Sequence, residues 1–123
     1  LLTCISVKAN LAIMNIQELT RKSVEASELL ALLANPHRLR ILCELHQGER
    51  SVSALEQVIG LSQSALSQHL AKLRAANVVA TRRESQTIYY SVADQRTSTL
   101  LAVLYEMFCA PTSGNGKSRK SRP

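Results

Sequence analysis

Tryptophan is absent from this 123-residue sequence, phenylalanine occurs once and tyrosine three times, so aromatic residues amount to only 3%. A core without aromatic bulk has to be assembled from Leu, Val, Ile and Ala, which suits packed helices better than a β-sandwich. Long apolar runs are missing too, which excludes a membrane-spanning helix. The opening stretch LLTCISVKANLAIM is partly apolar but has no basic start and no small-residue cleavage site, so it does not read as a signal peptide. Cysteine is scarce: three residues, an odd number without dense spacing, do not make a secreted disulfide framework. A cytoplasmic protein is expected. The catalytic signatures are lacking as well. There is no Cys-x-x-Cys pair beside a βαβ unit, no Gly-rich phosphate loop and no nucleophile elbow, so the chain is not expected to be an enzyme.

What is present is 46% apolar residues, enough to fold, on a length that holds one core and not two. The net charge is +6, but Lys117, Arg119, Lys120 and Arg122 supply +4 of it, leaving +2 for everything before them. Charge alone therefore argues only weakly for nucleic acid. The chain divides into an N-terminal extension (1–14), expected to be flexible or non-native with Met14 as a natural start, a folded domain (15–110), and a basic tail (111–123) rich in Ser, Gly, Lys and Arg that is expected to be disordered.

Within the domain, apolar spacing predicts a first helix from about Ile16 to Ala34, with Ala26, Leu29, Leu30 and Leu33 on one face. Asn35-Pro36 ends it and starts a second, whose stripe is Leu39, Leu42, Cys43 and His46, with Ile41 and Leu45 beside it and Gly48 as the stop. A short third helix begins at Ser51 or at Ser53, the latter with capping-box spacing to Glu56, and ends at Gly60. Only Gly60-Leu61-Ser62 separates it from a fourth, Leu61 to Ala76, capped by Ser62 and closed by Asn77. Two short helices across a tight Gly-containing turn form a helix-turn-helix pattern. A hairpin of Val78 to Arg83 and Thr87 to Val92 would then be a wing. A last helix, about Asp94 to Cys109, is apolar over more than one face, as burial against a second chain as well as the core would require.

The fourth helix carries Gln63, Ser64, Ser67, Gln68 and Lys72 away from its Leu66, Leu70, Leu73 stripe. A recognition helix sets its N-terminal residues against base edges, Gln pairs with adenine, and Ser donates or accepts. Lys72 and the wing residues Arg82, Arg83 and Gln86 would hold the phosphate backbone and fix register. The bland alternative is a solvated face, but several Ser on one helix are costly in propensity unless something compensates. A protein-interaction module would show aromatic or Met anchors at this face, where the sequence has Ser and Gln.

The stretches ANPHRLRIL and SVSALEQVIGLSQSALSQHLAKLRAANVVATRRESQTIYYSV resemble the ArsR/SmtB family of bacterial repressors, over roughly Ala26 to Ala110. The resemblance implies a mostly α winged helix-turn-helix (α-α-α-α-β-β-α), homodimeric through the first and last helices, that binds double-stranded operator DNA and is released by a chemical signal. Metal ligands at the family's known positions are missing. SVSALEQ has no Cys, the last helix offers Asp94 and Glu106 without His, and His37, His46 and His69 do not make a four-ligand set, so neither metal nor cofactor is expected. Cys43 and Cys109 either are small buried hydrophobes or match the BigR-like persulfide- and redox-sensing branch of the family. There the resemblance implies that reactive sulfur or an oxidant links the two cysteines and lowers DNA affinity. Cys4 has no assigned role. A metal-responsive or ligand-independent repressor with structural cysteines is the alternative.

Overall fold

The computed structural model describes residues 15–109. Cys4, the extension and the basic tail lie outside that range. Six helices and three short strands follow in order: α1 (Ile16–Arg21), α2 (Ser23–Leu33), α3 (Pro36–Gln47), β1 (Arg50–Ser51), α4 (Val52–Ile59), α5 (Gln63–Ala75), β2 (Val79–Glu84), β3 (Thr87–Val92) and α6 (Gln95–Phe108). The strands form one antiparallel sheet in the order β1-β3-β2. Helices α4 and α5 and the β2–β3 hairpin are the helix-turn-helix and its wing.

Local chemistry explains the boundaries. The Asn35 side chain accepts hydrogen bonds from the His37 and Arg38 amides at 2.9 and 3.1 Å, with Pro36 at the first helical position where its missing N–H costs nothing. Of the two candidate caps for α4, Ser51 takes the role, accepting from the Ala54 amide at 3.1 Å. Gly60 closes α4 at φ +80°, a left-handed conformation that favours glycine. Ser62 caps α5 through the Ala65 amide. Beyond Ala76, Asn77 adopts φ +63°, its amide donates to Arg74 O, and the Val78 amide donates back to Leu73 O. This paired arrangement is a Schellman motif, so the end of α5 and the start of the wing are one rigid joint. At the wing tip Ser85 takes a positive φ of 57°, which lets the strands turn in two residues without glycine.

Three features differ from the expectation. The first helix is divided at Lys22 (φ −99°, ψ 15°). Thr20 there donates its hydroxyl back to Ile16 O at 2.9 Å, and the Lys22 amide is shared between Glu18 O and Leu19 O, a local competition that bends helices. On α3 the buried stripe is Ile41, Leu42 and Leu45, whereas Cys43 and His46 are exposed. Strand β1, only Arg50–Ser51, carries no pattern that a two-residue strand could show in sequence.

The core joins Leu33, Ile41, Leu42, Leu45, Leu55, Ile59, Leu66, Leu70, Leu73, Val78, Val79, Tyr90 and Leu101. Tyr90 is the one aromatic in it. Helix α6 buries only Thr97 and Leu101. The Thr97 hydroxyl donates to Asp94 at 2.8 Å, and the Thr97 amide caps on the same oxygen at 3.1 Å. Burial pushes the Asp94 carboxyl up, but those two bonds and Arg96 outweigh it and hold the group below its ordinary value. Tyr105, Met107 and Phe108 on α6, with Ile16, Leu19 and Leu30 on α1 and α2, are left exposed in the single chain.

Replacing Asn35 by Ala removes both amide contacts at the start of α3 and is expected to lower the unfolding free energy by about 1 kcal/mol, with Asn35→Asp retaining most of it. Urea unfolding at unchanged m-value measures this. Equal stability of Asn35→Ala and the parent would show that the cap is not what starts the helix.

Candidate nucleic-acid interface and thiol pair

Helix α5 has two chemically distinct sides. Leu66, Leu70 and Leu73 are buried, and Gln63, Ser64, Ser67, Gln68 and Lys72 are exposed. None of these five makes a side-chain hydrogen bond or ion pair among the described residues, so their donors and acceptors are available. His69 stands apart from them, half-buried against α3. Its ring lies 5.7 Å from that of His37, and Arg38 Nη1 approaches its Nδ1 at 3.5 Å. Because a guanidinium only donates, Nδ1 is the acceptor. Burial, then the charges of Arg38, His37 and Lys72, hold His69 below the ordinary histidine value, and its ring links α5 to α3.

The wing separates its two arginines. Arg82 pairs across the sheet with Tyr89, and Arg83 with Ile88, so successive side chains leave opposite faces. The Arg82 guanidinium donates to Glu49 through Nε and Nη2 at 2.9 and 2.8 Å, reaches Glu84 through Nη1 at 2.9 Å, and lies 4.7 Å over the Tyr89 ring. Arg82 is thus occupied by carboxylates in the free chain, where the sequence reading sets it against phosphate. Arg83 makes only a 3.3 Å bond to Ser85 O, and Gln86 is exposed at the tip.

Two further arginines, Arg38 and Arg40, had no role in the sequence reading. Arg38 Nε donates to Leu32 O at 2.8 Å, closing the end of α2. Arg40 donates to Ile59 O and Val58 O at 3.1 and 3.0 Å, closing the end of α4. The signal was present in NPHRLR as two basic residues on a helix whose partners end nearby, but it requires knowing which helix ends lie beside α3.

Cys43 on α3 and Cys109 just past α6 are free thiols, exposed in the single chain, on helices that pack together. Cys109 is close enough for its charge to disfavour charge on Cys43. Partial burial, then Cys109, then Glu44 push the Cys43 thiol above its ordinary value. Among the described residues no group of three or more His, Cys, Asp or Glu side chains could hold a metal ion. No helix there is long and apolar enough to cross a membrane.

Comparison with known proteins decides the family. Residues 35–81 match the family model described as "Bacterial regulatory protein, arsR family". The chain is 44% identical over 96 residues to the transcriptional activator HlyU of Vibrio cholerae, covering 78% of this chain and 89% of that one. It is 44% identical over 91 residues to the biofilm growth-associated repressor of Agrobacterium fabrum, covering 74% and 78%. The crystal structure of the transcriptional repressor BigR from Xylella fastidiosa superposes with a TM-score of 0.75 at 39% identity, over 80% of this chain and all of that one. The chain belongs to the ArsR family. It is therefore a winged-helix transcriptional regulator and not an enzyme.

The raised Cys43 value means that the thiolate is the minor form below about the ordinary 9.0. Its alkylation by iodoacetamide should rise about tenfold per pH unit through pH 7–9, since only the thiolate reacts. In Cys109→Ser the repulsion is gone, so Cys43 should be alkylated faster than in the parent at pH 8. Peptide mass spectrometry reads this separately from Cys4, and an unchanged or slower rate would show that the two thiols do not sense each other.

Proposed function

We propose that this ArsR-family regulator represses transcription in the cytoplasm by binding double-stranded operator DNA as a homodimer, and leaves it when reactive sulfur or an oxidant links Cys43 to Cys109. The observation that carries the DNA reading is the exposed polar face of α5. Gln63, Ser64, Ser67 and Gln68 lie in its N-terminal half with no side-chain partner among the described residues, in the part of a recognition helix that meets base edges. Lys72, Arg83 and Gln86 then contact the backbone. The exposed apolar residues of α1, α2 and α6 supply the dimer surface, and the dimer sets two α5 helices about 34–36 Å apart, one turn of duplex.

The switch follows from thiol chemistry. A Cys43 thiolate attacks the sulfane sulfur of a low-molecular-weight persulfide, becoming a persulfide itself and expelling the parent thiolate. The Cys109 thiolate then attacks the inner sulfur, expelling hydrosulfide and leaving a disulfide. Two thiols are oxidised and the persulfide is reduced to thiol and sulfide. The link would bind α3 to the end of α6 and so change the spacing of the two recognition helices. Its relatives include, by name, both an activator and a repressor.

On a duplex selected from a random library, log affinity should fall linearly with log salt, by about 0.9 per phosphate neutralised. A flat response would favour a protein-interaction module instead. Gln68→Ala should cost about 1–3 kcal/mol of discrimination between selected and scrambled duplex. Lys72→Ala should weaken both alike. Cys43→Ser should keep DNA binding and ignore persulfide, and mass spectrometry of the parent should then find Cys43 joined to Cys109. Persulfide-driven release by Cys43→Ser would place the switch elsewhere.

A further inference from the structure

The contact between Glu49 and the wing is built beyond what an ordinary surface pair shows. Glu49 follows Gly48, which sits at φ +156° and ψ 167°, a region that is essentially glycine's alone, so the direction in which the chain leaves α3 is set. From there the carboxylate meets Arg82, 33 residues away, with both oxygens, at 2.9 and 2.8 Å. The arginine crosses the sheet to do so. It starts on β2, passes over the ring of Tyr89 on the middle strand, and ends at Glu49 just before β1, with Nη1 left for Glu84. Isolated surface ion pairs contribute little, but bidentate geometry within a network is the exception.

We propose that Glu49 is a positioning residue for DNA recognition, holding the wing at one angle to the body through Arg82 so that Arg83 and Gln86 meet the duplex in register with α5. This rests on the DNA-binding reading above. Arg82 acts from behind the contact surface. Each of its three guanidinium nitrogens donates to a carboxylate, while Arg83, one residue on, leaves the opposite face of the hairpin. The other wing joint is already rigid, because the Schellman motif at Asn77 fixes where β2 begins. Without the Glu49 strap the hairpin would pivot about that joint, since β1 and β3 share only the Arg50–Tyr90 and Ser51–Tyr89 pairs.

The test turns on sign. Glu49→Gln removes a negative charge, which by simple electrostatics should tighten binding to DNA. A positioning role predicts the reverse. Binding of the full chain to a duplex selected with the parent protein should weaken about fivefold, the size expected of an exposed but well-formed pair. Binding to a scrambled duplex should stay the same or strengthen. Arg82→Lys, which keeps the charge and loses the fork, should weaken selected-duplex binding in the same way. Glu49→Gln with Arg82→Ala should be no worse than Arg82→Ala alone. The charge-exchanged pair Glu49→Arg with Arg82→Glu should recover part of the loss at unchanged net charge. Hydrogen exchange should quicken in β2 and β3 of Glu49→Gln and hold in α3 and α5, which separates a loosened wing from a damaged fold. Selected-duplex binding by Glu49→Gln as tight as the parent's, or tighter, overturns the proposal and makes Arg82 a phosphate contact that Glu49 merely competes for. Failure of the parent chain to select any duplex is a different result, because it removes the DNA reading itself.

Discussion

The structure depends on α3 ending its neighbours. A helix leaves its last carbonyls without partners, and a helix end packed against protein cannot simply hand them to water. Here Arg38 takes the end of α2 and Arg40 the end of α4, from two positions on a single helix. Each guanidinium also stands at the negative end of a helix dipole, where a cation is favoured. The same helix contributes Ile41, Leu42 and Leu45 to the core and, through Arg38, touches His69 on α5. Helix α3 is therefore the frame on which the entry helices, the first helix of the helix-turn-helix and the recognition helix are all registered.

That arrangement has a consequence for the thiols. Cys43 lies on the frame itself, one residue beyond the buried Leu42, and Cys109 lies at the far end of α6. A bond between them would not act on a loop that could absorb it. It would join the two helices whose relative placement sets both the core contact at Leu101 and the exposed apolar ridge of Tyr105, Met107 and Phe108. Close-packed interfaces respond to such a constraint by switching between arrangements and not by bending smoothly. The raised value of Cys43 makes the reactive thiolate scarce at neutral pH, which slows its reactions.

Much of this was legible in the sequence, for reasons that can be stated residue by residue. Caps are local, so Asn35-Pro36, Ser62, Gly60 and Asn77 announced the ends of their helices correctly. The alternation of α5 was legible because Leu66, Leu70 and Leu73 repeat at helical spacing. Side-chain partnerships between distant segments were not legible. Arg82 looked like a free wing cation, yet its partner Glu49 is brought beside it only once β1 has paired with β3. The rotation of the α3 stripe was missed for a related reason. Leu39, Leu42, Cys43 and His46 form a good helical row, but Ile41 and Leu45 bury more apolar surface, and the core chose them. The division at Lys22 depends on one Thr20 hydroxyl turning back on the helix, which the helical pattern hides.

The modest charge of the chain before its basic last residues bears on how such a regulator can discriminate. Most of the +6 belongs to the last residues of the chain, and within the domain several arginines are consumed internally: Arg38 and Arg40 at helix ends, Arg50 against Glu44, Arg82 against Glu49 and Glu84, Arg96 against Glu25 and Asp94. Few cations of the domain are left for phosphates. Backbone attraction is indifferent to sequence, so a domain that keeps it small raises the share of its binding energy that comes from base edges. On the proposed reading, the uncharged Gln63, Ser64, Ser67 and Gln68 would then carry more of the recognition than they would on a strongly basic helix. Their usefulness depends on being held in register, because a hydrogen bond to a base edge tolerates little displacement. The internal use of arginine that lowers the domain's free charge is the same use that fixes the helix ends and the wing.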